Sequence, residues 1–321
     1  MSTGCNTSEL NIRVKGEKVK CPQCLLAKMV DKAARKGSTR QPHNLATCAA
    51  DTVVMAQESV NGNTCATQMV MYGSLYGQFL PGKHKDSVST ARRFRIGKGR
   101  IESITDPGGK QRIEALRHDP GTEFEGAMRN EREINNIFDF KGPIDRHTAA
   151  HLAENRNRII QRTAAAASIS AFHGDHDQAD ELTSLVWDEL GIAGSECANH
   201  SCITADQRAK GQTAIEEQSS GRVNSAEYIS RLHAPGTLVY AFIPKRPRKG
   251  KHSPRAFKAI FMSLDQDTIG NVRVVPFEAR EGKWTLYPTV VVDKIIAVKG
   301  VFPLRASPKT ELTATKPGPV S

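Results

Sequence analysis

Two neighbouring cysteines near the start of the chain have the spacing of half a zinc site. Cys21 and Cys24 follow NIRVKGEKVK, a run typical of a short strand. A tight turn at Cys-Pro-Gln-Cys brings two thiolates to one zinc ion at about 2.3 Å each. A second pair of ligands is available in three places, which are Cys197 with Cys202, Cys197 with His200, and Cys48 with Cys65. We predict zinc on Cys21, Cys24, Cys197 and Cys202, with reduced, partly buried thiols as the alternative.

Cys48 is a candidate nucleophile. A thiol enzyme needs a cysteine at a helix N-terminus, a histidine to accept its proton and an Asn or Asp to orient that histidine. Cys48 stands in the first turn of a predicted helix, while His252 and Asn271 lie beside predicted strands. With Gln41 upstream as an oxyanion donor, the order resembles the papain-like family, which implies a cysteine hydrolase or acyl-transferase. The competing interpretation is a core thiol, because Cys48 also lies on the apolar stripe of that helix.

Histidine and aspartate residues are concentrated in the middle of the chain. They are His147, His151, His173, His176, Asp177 and Asp206. Their order resembles that of HD-domain phosphohydrolases, which hold a divalent metal ion between helices. The segment HGDHDQAD lacks the apolar residues that would bury such a dyad, so a solvated helix start is the competing interpretation.

Basic residues recur in patches that favour an acidic partner. The chain has a formal net charge of +11 and a pI near 9.4. Nine cations are the candidates for phosphate contacts: Arg93, Arg95, Arg100, Lys245, Arg246, Arg248, Lys249, Lys251 and Arg255. The last six lie in one loop without an acidic residue, and such a loop repels itself unless it meets solvent or an anion. We therefore predict binding to the phosphate backbone of DNA or RNA, with other proteins of a nucleoprotein assembly as further partners.

Composition limits the class of protein. A chain of 321 residues can bury a sizeable core, so stability does not depend on a metal or a disulfide. Seven cysteines, an odd number, do not indicate a disulfide framework, and no N-terminal apolar run predicts a signal peptide. The apolar runs are shorter than the ~18 residues that span a bilayer. These features predict a cytoplasmic protein without a membrane segment.

The elements that would position these residues are mostly helices. Apolar spacing predicts two helices between residues 44 and 79 and a longer helix at 175–194, and a high Ala content predicts another long helix at 147–172. Between them, the Asp-Pro-Gly-Gly turn at 106–109 predicts a basic β-hairpin over residues 91–117. Short β-branched runs separated by turn residues predict a small antiparallel barrel over residues 236–305.

The predicted fold class is therefore α+β, with a mainly helical region, one hairpin and a small C-terminal barrel that resembles SH3-like folds. The predicted divisions are 1–43 (basic segment), 44–232 (helical domain), 236–305 (barrel) and 306–321 (disordered tail). The first functional hypothesis is a nucleic-acid-binding protein. The papain-like thiol enzyme is the alternative, and the HD-type phosphohydrolase is the weaker one.

Overall fold

The computed structural model of the protein describes residues 46–105, 112–141, 151–171, 176–243, 255–268, 270–280, 283–306 and 311–315. Outside these ranges lie the Cys21/Cys24 pair, the predicted turn at 106–109 and most of the basic loop that begins at Lys245.

A five-stranded mixed sheet forms the centre of the first half of the described chain. Its strands are β1 (Thr47–Val54), β2 (Cys65–Met71), β3 (Gly77–Gly82), β4 (Ala115–His118) and β5 (Phe138–Lys141). They lie in the order β3-β2-β1-β4-β5. β1 is antiparallel to β2, and β2 to β3, whereas β4 is parallel to β1 and β5 is parallel to β4. The sheet therefore changes from antiparallel to parallel pairing at β1.

The helical hairpin predicted between residues 44 and 79 is wrong, because this segment forms β1, β2 and β3. All of β2 and the first four residues of β1 are buried. A strand that is covered on both faces lacks the alternation of apolar and polar residues that identifies a half-buried strand. Its continuous apolar run therefore matches a helical stripe equally well.

Helices cover both faces of this sheet. In chain order the described helices of five or more residues are α1 (Ser87–Thr105), α2 (Ala127–Ile134), α3 (His151–Ala171), α4 (His176–Asn199), α5 (Ala205–Lys210), α6 (Ala214–Gln218) and α7 (Ser225–Arg231). The two long helices expected in the middle of the chain are confirmed as α3 and α4, although α4 continues past its predicted end at residue 194.

The basic hairpin predicted over residues 91–117 is also wrong, since its first arm belongs to α1 and its second arm contains β4. The buried residues Phe94, Gly97 and Ile101 are three and four positions apart, which is the helical period. Phe94 and Ile101 pack with Leu116 of β4 in one core cluster, so α1 covers the face of the sheet that carries Leu116.

The opposite face of the sheet is covered by α3 and α4. Ala153 in the first turn of α3 packs against Ala49 of β1 and Val70 of β2. Gly191 allows α4 to approach β3 closely, because a Cβ at this position would lie 2.1 Å from the Phe79 ring. These contacts fix the first turn of α3 over the middle of the sheet.

The C-terminal part forms a second, open sheet. Its strands are β6 (Leu238–Phe242), β7 (Ala256–Leu264), β8 (Val272–Arg280), β9 (Lys283–Leu286), β10 (Val290–Val292), β11 (Ile295–Ala297) and β12 (Glu311–Ala314). The order is β11-β6-β7-β8-β9-β12, with β10 on β8. The predicted SH3-like barrel is wrong, because β11 and β12 end the sheet without pairing to each other. The segment predicted to be a disordered tail contributes β12, which is parallel to β9.

The two sheets share a core. Ile260, Val275 and Trp284 of the second sheet pack in one cluster with Ala164 of α3 and Leu182 of α4. The helices thus lie between the sheets and contact both. None of the helices in the described ranges combines the length and the apolar character needed to cross a membrane.

Candidate active site

Parallel pairing of β1 and β4 brings two aspartates side by side. Cys48 is paired with Leu116, and Ala49 with Arg117. Two positions further along each chain stand Asp51, within β1, and Asp119, directly after β4. Because strand residues two positions apart share a face, both aspartates lie on the face that carries Ala49, which is the face covered by α3.

The first turns of α3 supply a third carboxylate and an amide. Asn157 donates a hydrogen bond from Nδ2 to Oδ2 of Asp51 at 3.3 Å, although it is only 7% exposed. Its Oδ1 atom is buried and has no hydrogen-bond partner among the described residues. Glu154 lies one helical turn before Asn157, so the two side chains share a helix face. A buried amide oxygen without a partner, next to a carboxylate, favours a ligand at this position.

The surroundings of Asp51 disfavour the negatively charged form of its carboxyl group. Burial raises the pKa of Asp51 most, and the carboxylates of Glu154, Asp119 and Glu123 raise it further. A hydrogen bond from the backbone of Thr52 opposes these effects. The folded protein therefore holds Asp51 in a place where a bound proton or cation would be stabilised.

In the described ranges, no three carboxylate, imidazole or thiol groups lie close enough together to hold one metal ion. Asp51, Asp119 and Glu154 are all half-buried side chains that retain contact with solvent. A shared cation would therefore have to draw them together by rotation about their side-chain bonds.

A buried network on the opposite face of the sheet holds the Asp119 turn in place. His118 is fully buried, and its Nδ1 atom lies 2.8 Å from the carbonyl oxygen of Asp119. Its Nε2 atom lies 2.8 Å from Oδ1 of Asp139, which accepts a further hydrogen bond at 2.9 Å from Arg132. Arg132 in turn donates to the carbonyl oxygen of Phe124, whose ring stacks on His118. The backbone at Asp119 is thus fixed from behind.

The arginines of the predicted basic hairpin do not lie together on a surface. Arg93 is buried in α1, where it donates hydrogen bonds to Thr67, Thr90 and the carbonyl oxygen of His84. Arg95 is exposed and forms an ion pair with Glu131. Arg100 forms an ion pair with Asp267 at 2.6 Å and a hydrogen bond to Gln266. Of the basic loop, Arg255 is exposed, while Lys245, Arg246, Arg248, Lys249 and Lys251 lie outside the described residues.

The structure gives no support to Cys48 as a nucleophile. Cys48 lies in β1 rather than at a helix N-terminus, and it has no exposed surface. Burial raises the pKa of its thiol to about 12. Asn271 precedes β8, and His252 lies outside the described residues.

The predicted zinc ligands remain a prediction. Cys21 and Cys24 lie outside the described residues, and Cys197 and Cys202 are free thiols. Burial raises the pKa of Cys197 to about 11 and also raises that of Cys202, which disfavours the thiolate that binds zinc.

The residues considered for an HD-type site are separated or paired elsewhere. His151 begins α3, Asp177 is exposed on α4, and Asp206 on α5 pairs with Lys210 at 2.7 Å. His147 and His173 lie outside the described residues, as does the side chain of His176.

His200, which was a candidate zinc ligand together with Cys197, is buried. Its burial makes the stability of the protein depend on pH. Its ring stacks on Tyr228 at 3.7 Å, its Nδ1 atom lies 3.0 Å from Oγ of Ser225, and Glu196 lies 3.8 Å from Nε2. Burial lowers its pKa from 6.5 to about 4, an effect that Glu216 partly opposes. Between these values the unfolded chain binds a proton that the folded chain does not.

We therefore expect the free energy of unfolding to fall as pH is lowered from about 6.5 to about 4, with a contribution from His200 on the order of 3 kcal/mol. Urea unfolding of the wild type and of His200→Gln across this window measures it. The variant should lose less stability on acidification, and parallel pH profiles for the two proteins would contradict the assignment.

Sequence reasoning missed Asp51, Asp119 and Glu154. One signal was present, since Asp51 interrupts the otherwise uncharged run TCAADTVV, and a charge in a buried run needs a partner or a function. Asp119 and Glu154 stood in segments interpreted as a loop and as a helix, where acidic residues are common.

Comparison with known proteins does not assign a family. No protein-family model and no curated protein matches the chain. Among solved structures, one similar chain comes from the cryo-electron microscopy structure of the simian T-cell lymphotropic virus intasome in complex with PP2A regulatory subunit B56 gamma. The similarity covers 81% of this chain and 83% of that chain, with a TM-score of 0.40 and 12% sequence identity.

Proposed function

We propose that the protein is a divalent-metal-dependent enzyme that breaks phosphodiester bonds in nucleic acid, with Asp51, Asp119 and Glu154 as metal ligands. The observation that carries the proposal is the convergence of carboxylates from three separate segments on one face of the first sheet. Asp51 and Asp119 lie toward the carboxyl ends of the parallel strands β1 and β4, where open sheets commonly form ligand sites, and Glu154 on α3 is close enough to raise the pKa of Asp51. The unpartnered Oδ1 atom of Asn157 supports a ligand there independently.

The donor set suits magnesium or manganese. Both ions prefer oxygen ligands and keep several waters, so a few carboxylates and the phosphate itself complete the coordination. Cations held by Asp51, Asp119 and Glu154 would stabilise the negative charge that develops on the oxygens of an in-line displacement at phosphorus. Asp51 is the central ligand in this proposal, because both Asp119, directly after β4, and Glu154, on α3, raise its pKa.

The reaction needs no other reactant than the nucleophile. A cation held by Asp51, Asp119 and Glu154 would lower the pKa of a nearby water, which would release a proton to solvent as its oxygen forms a bond to phosphorus. The bond from phosphorus to the leaving oxygen breaks, and that oxygen takes a proton from water.

The charge of the protein supports a polyanionic substrate. The formal net charge of +11 attracts nucleic acid at long range, and the basic loop that includes Arg255 remains proposed as a contact to the phosphate backbone. Contacts of this kind position the strand without reading its sequence.

Metal titration of the full-length protein tests the proposal. Addition of Mn²⁺ or Mg²⁺ should raise the melting temperature with saturation, since a ligand that binds only the folded state adds about 2.7 kcal/mol at a hundredfold excess over its Kd. The same ions should support nicking of a supercoiled plasmid, and removal of the ions with chelator should abolish it.

Exposed carboxylates provide the matched control for metal binding. Asp206→Asn removes an exposed carboxylate on α5 and should keep the metal-induced rise in melting temperature, whereas Asp51→Asn should lose it. Neither a stability change nor nicking with any divalent ion in the wild type would reject the proposal.

A further inference from the structure

Next to the candidate site, the same face of the sheet carries a row of aromatic rings with a cation between them. Phe138 and Phe140 on β5 are 64% and 43% exposed, and their ring centres are 4.7 Å apart. The guanidinium carbon of Arg117 on β4 lies 5.3 Å from the centre of the Phe140 ring and 4.9 Å from that of Tyr72.

Strand register connects this row to the carboxylates. Phe138 is paired with Ala115, and Phe140 with Arg117. Arg117 precedes Asp119 by two positions, so the cation, the rings and the carboxylates lie on one face. The helix α3 lies over β1 and β2 on this face. The rings of Phe138 and Phe140 stand farther out, on β5 at the edge of the sheet.

The exposure of the two rings is unusual for their residue type. Phenylalanine is among the residues most often buried, and two adjacent exposed rings mark an interaction surface more often than two scattered ones. In the described part of the chain, Arg117 forms no ion pair with a carboxylate, and its Nε atom is buried without a hydrogen-bond partner. An apolar ring surface beside an unneutralised cation fits a ligand that has both aromatic faces and negative charge.

We propose that Phe138, Phe140 and Arg117 form a platform for unpaired nucleotides of the nucleic-acid strand that enters the carboxylate site, with bases stacked on the rings and a phosphate near Arg117. This inference rests on the proposed function and adds to it a preference for single-stranded or frayed substrate. Base stacking on aromatic side chains does not require a particular base, so the platform favours single strands without a sequence preference.

Binding measurements without metal ions test the platform separately from catalysis. A fluorescently labelled single-stranded oligonucleotide and its duplex form are titrated with the full-length protein in chelator, and anisotropy gives the Kd. For the double variant Phe138→Ala/Phe140→Ala, the Kd for the single strand should rise roughly ten- to a hundredfold for each base that loses its stacking partner. Its Kd for the duplex should stay close to that of the wild type. Arg117→Gln should lower the salt dependence of single-strand binding by about 0.7 in log–log slope.

An exposed apolar residue on the second sheet supplies the control. Ile296 is 59% exposed on β11, and Ile296→Ala should leave both Kd values unchanged. Wild-type affinity in the double variant would overturn the platform, as would an equal loss for single strand and duplex. If the wild type associates with itself in sedimentation and the double variant does not, the rings contact a second copy of the chain and the inference also falls.

The outcomes for the platform and for the proposed function are distinguishable. Cleavage that is lost in Asp51→Asn, with unaltered strand binding by the double variant, leaves the proposed function standing and removes the platform. Ring-dependent binding of single strands by a protein that cleaves nothing with any divalent ion does the reverse.

Discussion

Replacement of Asp51 by Asn is expected to lower metal-dependent nicking by about a thousandfold or more and, in the absence of divalent ions, to make the protein more stable. The loss follows from the proposed role of the cations, which would supply several kcal/mol of charge stabilisation in the transition state. Asp119→Asn and Glu154→Gln should cause losses of similar order, because each removes one ligand of the same cluster. The three effects should not add, since residues that act as a unit fail together.

The gain in stability comes from removing the unfavourable negative charge of Asp51. Burial and the neighbouring carboxylates raise the pKa of Asp51 above its usual 3.8. The folded chain therefore binds a proton more readily than the unfolded chain, and stability is lost as pH rises through the folded pKa. A neutral Asn avoids this loss. In chelator at neutral pH, Asp51→Asn should melt at a higher temperature than wild type, and the difference should shrink as pH falls toward 3.8.

The combination of readouts separates a catalytic cluster from a structural one. A carboxylate needed only for folding would lower both activity and melting temperature when replaced. The control Asp206→Asn should match the wild type in nicking. Full activity of Asp51→Asn, or an equal loss in Asp206→Asn, would contradict the assignment of the site.

Replacement of Arg273 by Gln is expected to destabilise the protein by about 3–5 kcal/mol. Arg273 on β8 donates from Nε and Nη2 to both carboxylate oxygens of Glu189 on α4, at 2.8 and 2.7 Å. It also lies 3.3 Å from Oδ1 of Asp265. The side chains of Glu189 and Asp265 are 1% and 5% exposed, so the variant leaves two buried carboxylates without their cation.

The two parallel hydrogen bonds from Arg273 to Glu189 give a second expectation, which concerns replacement of Arg273 by lysine. Lysine carries the same charge but cannot donate to both carboxylate oxygens in parallel, so Arg273→Lys should recover only part of the loss. Arg280 on the same strand provides the control. Its ion pair with Glu278 is exposed on both sides, at 83% and 51%, and Arg280→Gln should cost less than about 1 kcal/mol.

Chemical unfolding measures both changes. The free energy of unfolding in urea, compared at equal slope, should separate Arg273→Gln from Arg280→Gln by several kcal/mol. Equal effects of the two variants would mean that the contact between α4 and the second sheet does not depend on Arg273. Since α4 also packs against the first sheet, the loss should reach the whole described core.

The helices in the middle of the chain were predictable from the sequence, and the strands around the site were not. α3 and α4 show apolar residues at helical spacing with a polar opposite side, which is a local pattern. β1 and β2 are buried on both faces, and their residues carry no period that separates a strand from a helix. For Arg93 the turn residues at 106–109 were misleading, since they predicted an exposed ribbon, although α1 buries Arg93 against Thr67.

By itself, the sequence determined the strong positive charge, the two long helices and the presence of acidic residues within apolar or turn segments. Tertiary structure alone decided that Asp119 and Glu154, which follow Asp51 by 68 and 103 positions, converge on it. The physical reason is that a parallel pair such as β1 and β4 is joined by a long crossover, so its register depends on packing between distant segments. Local propensity acts over a few residues, whereas the carboxylates meet only when α3 has docked on the completed sheet.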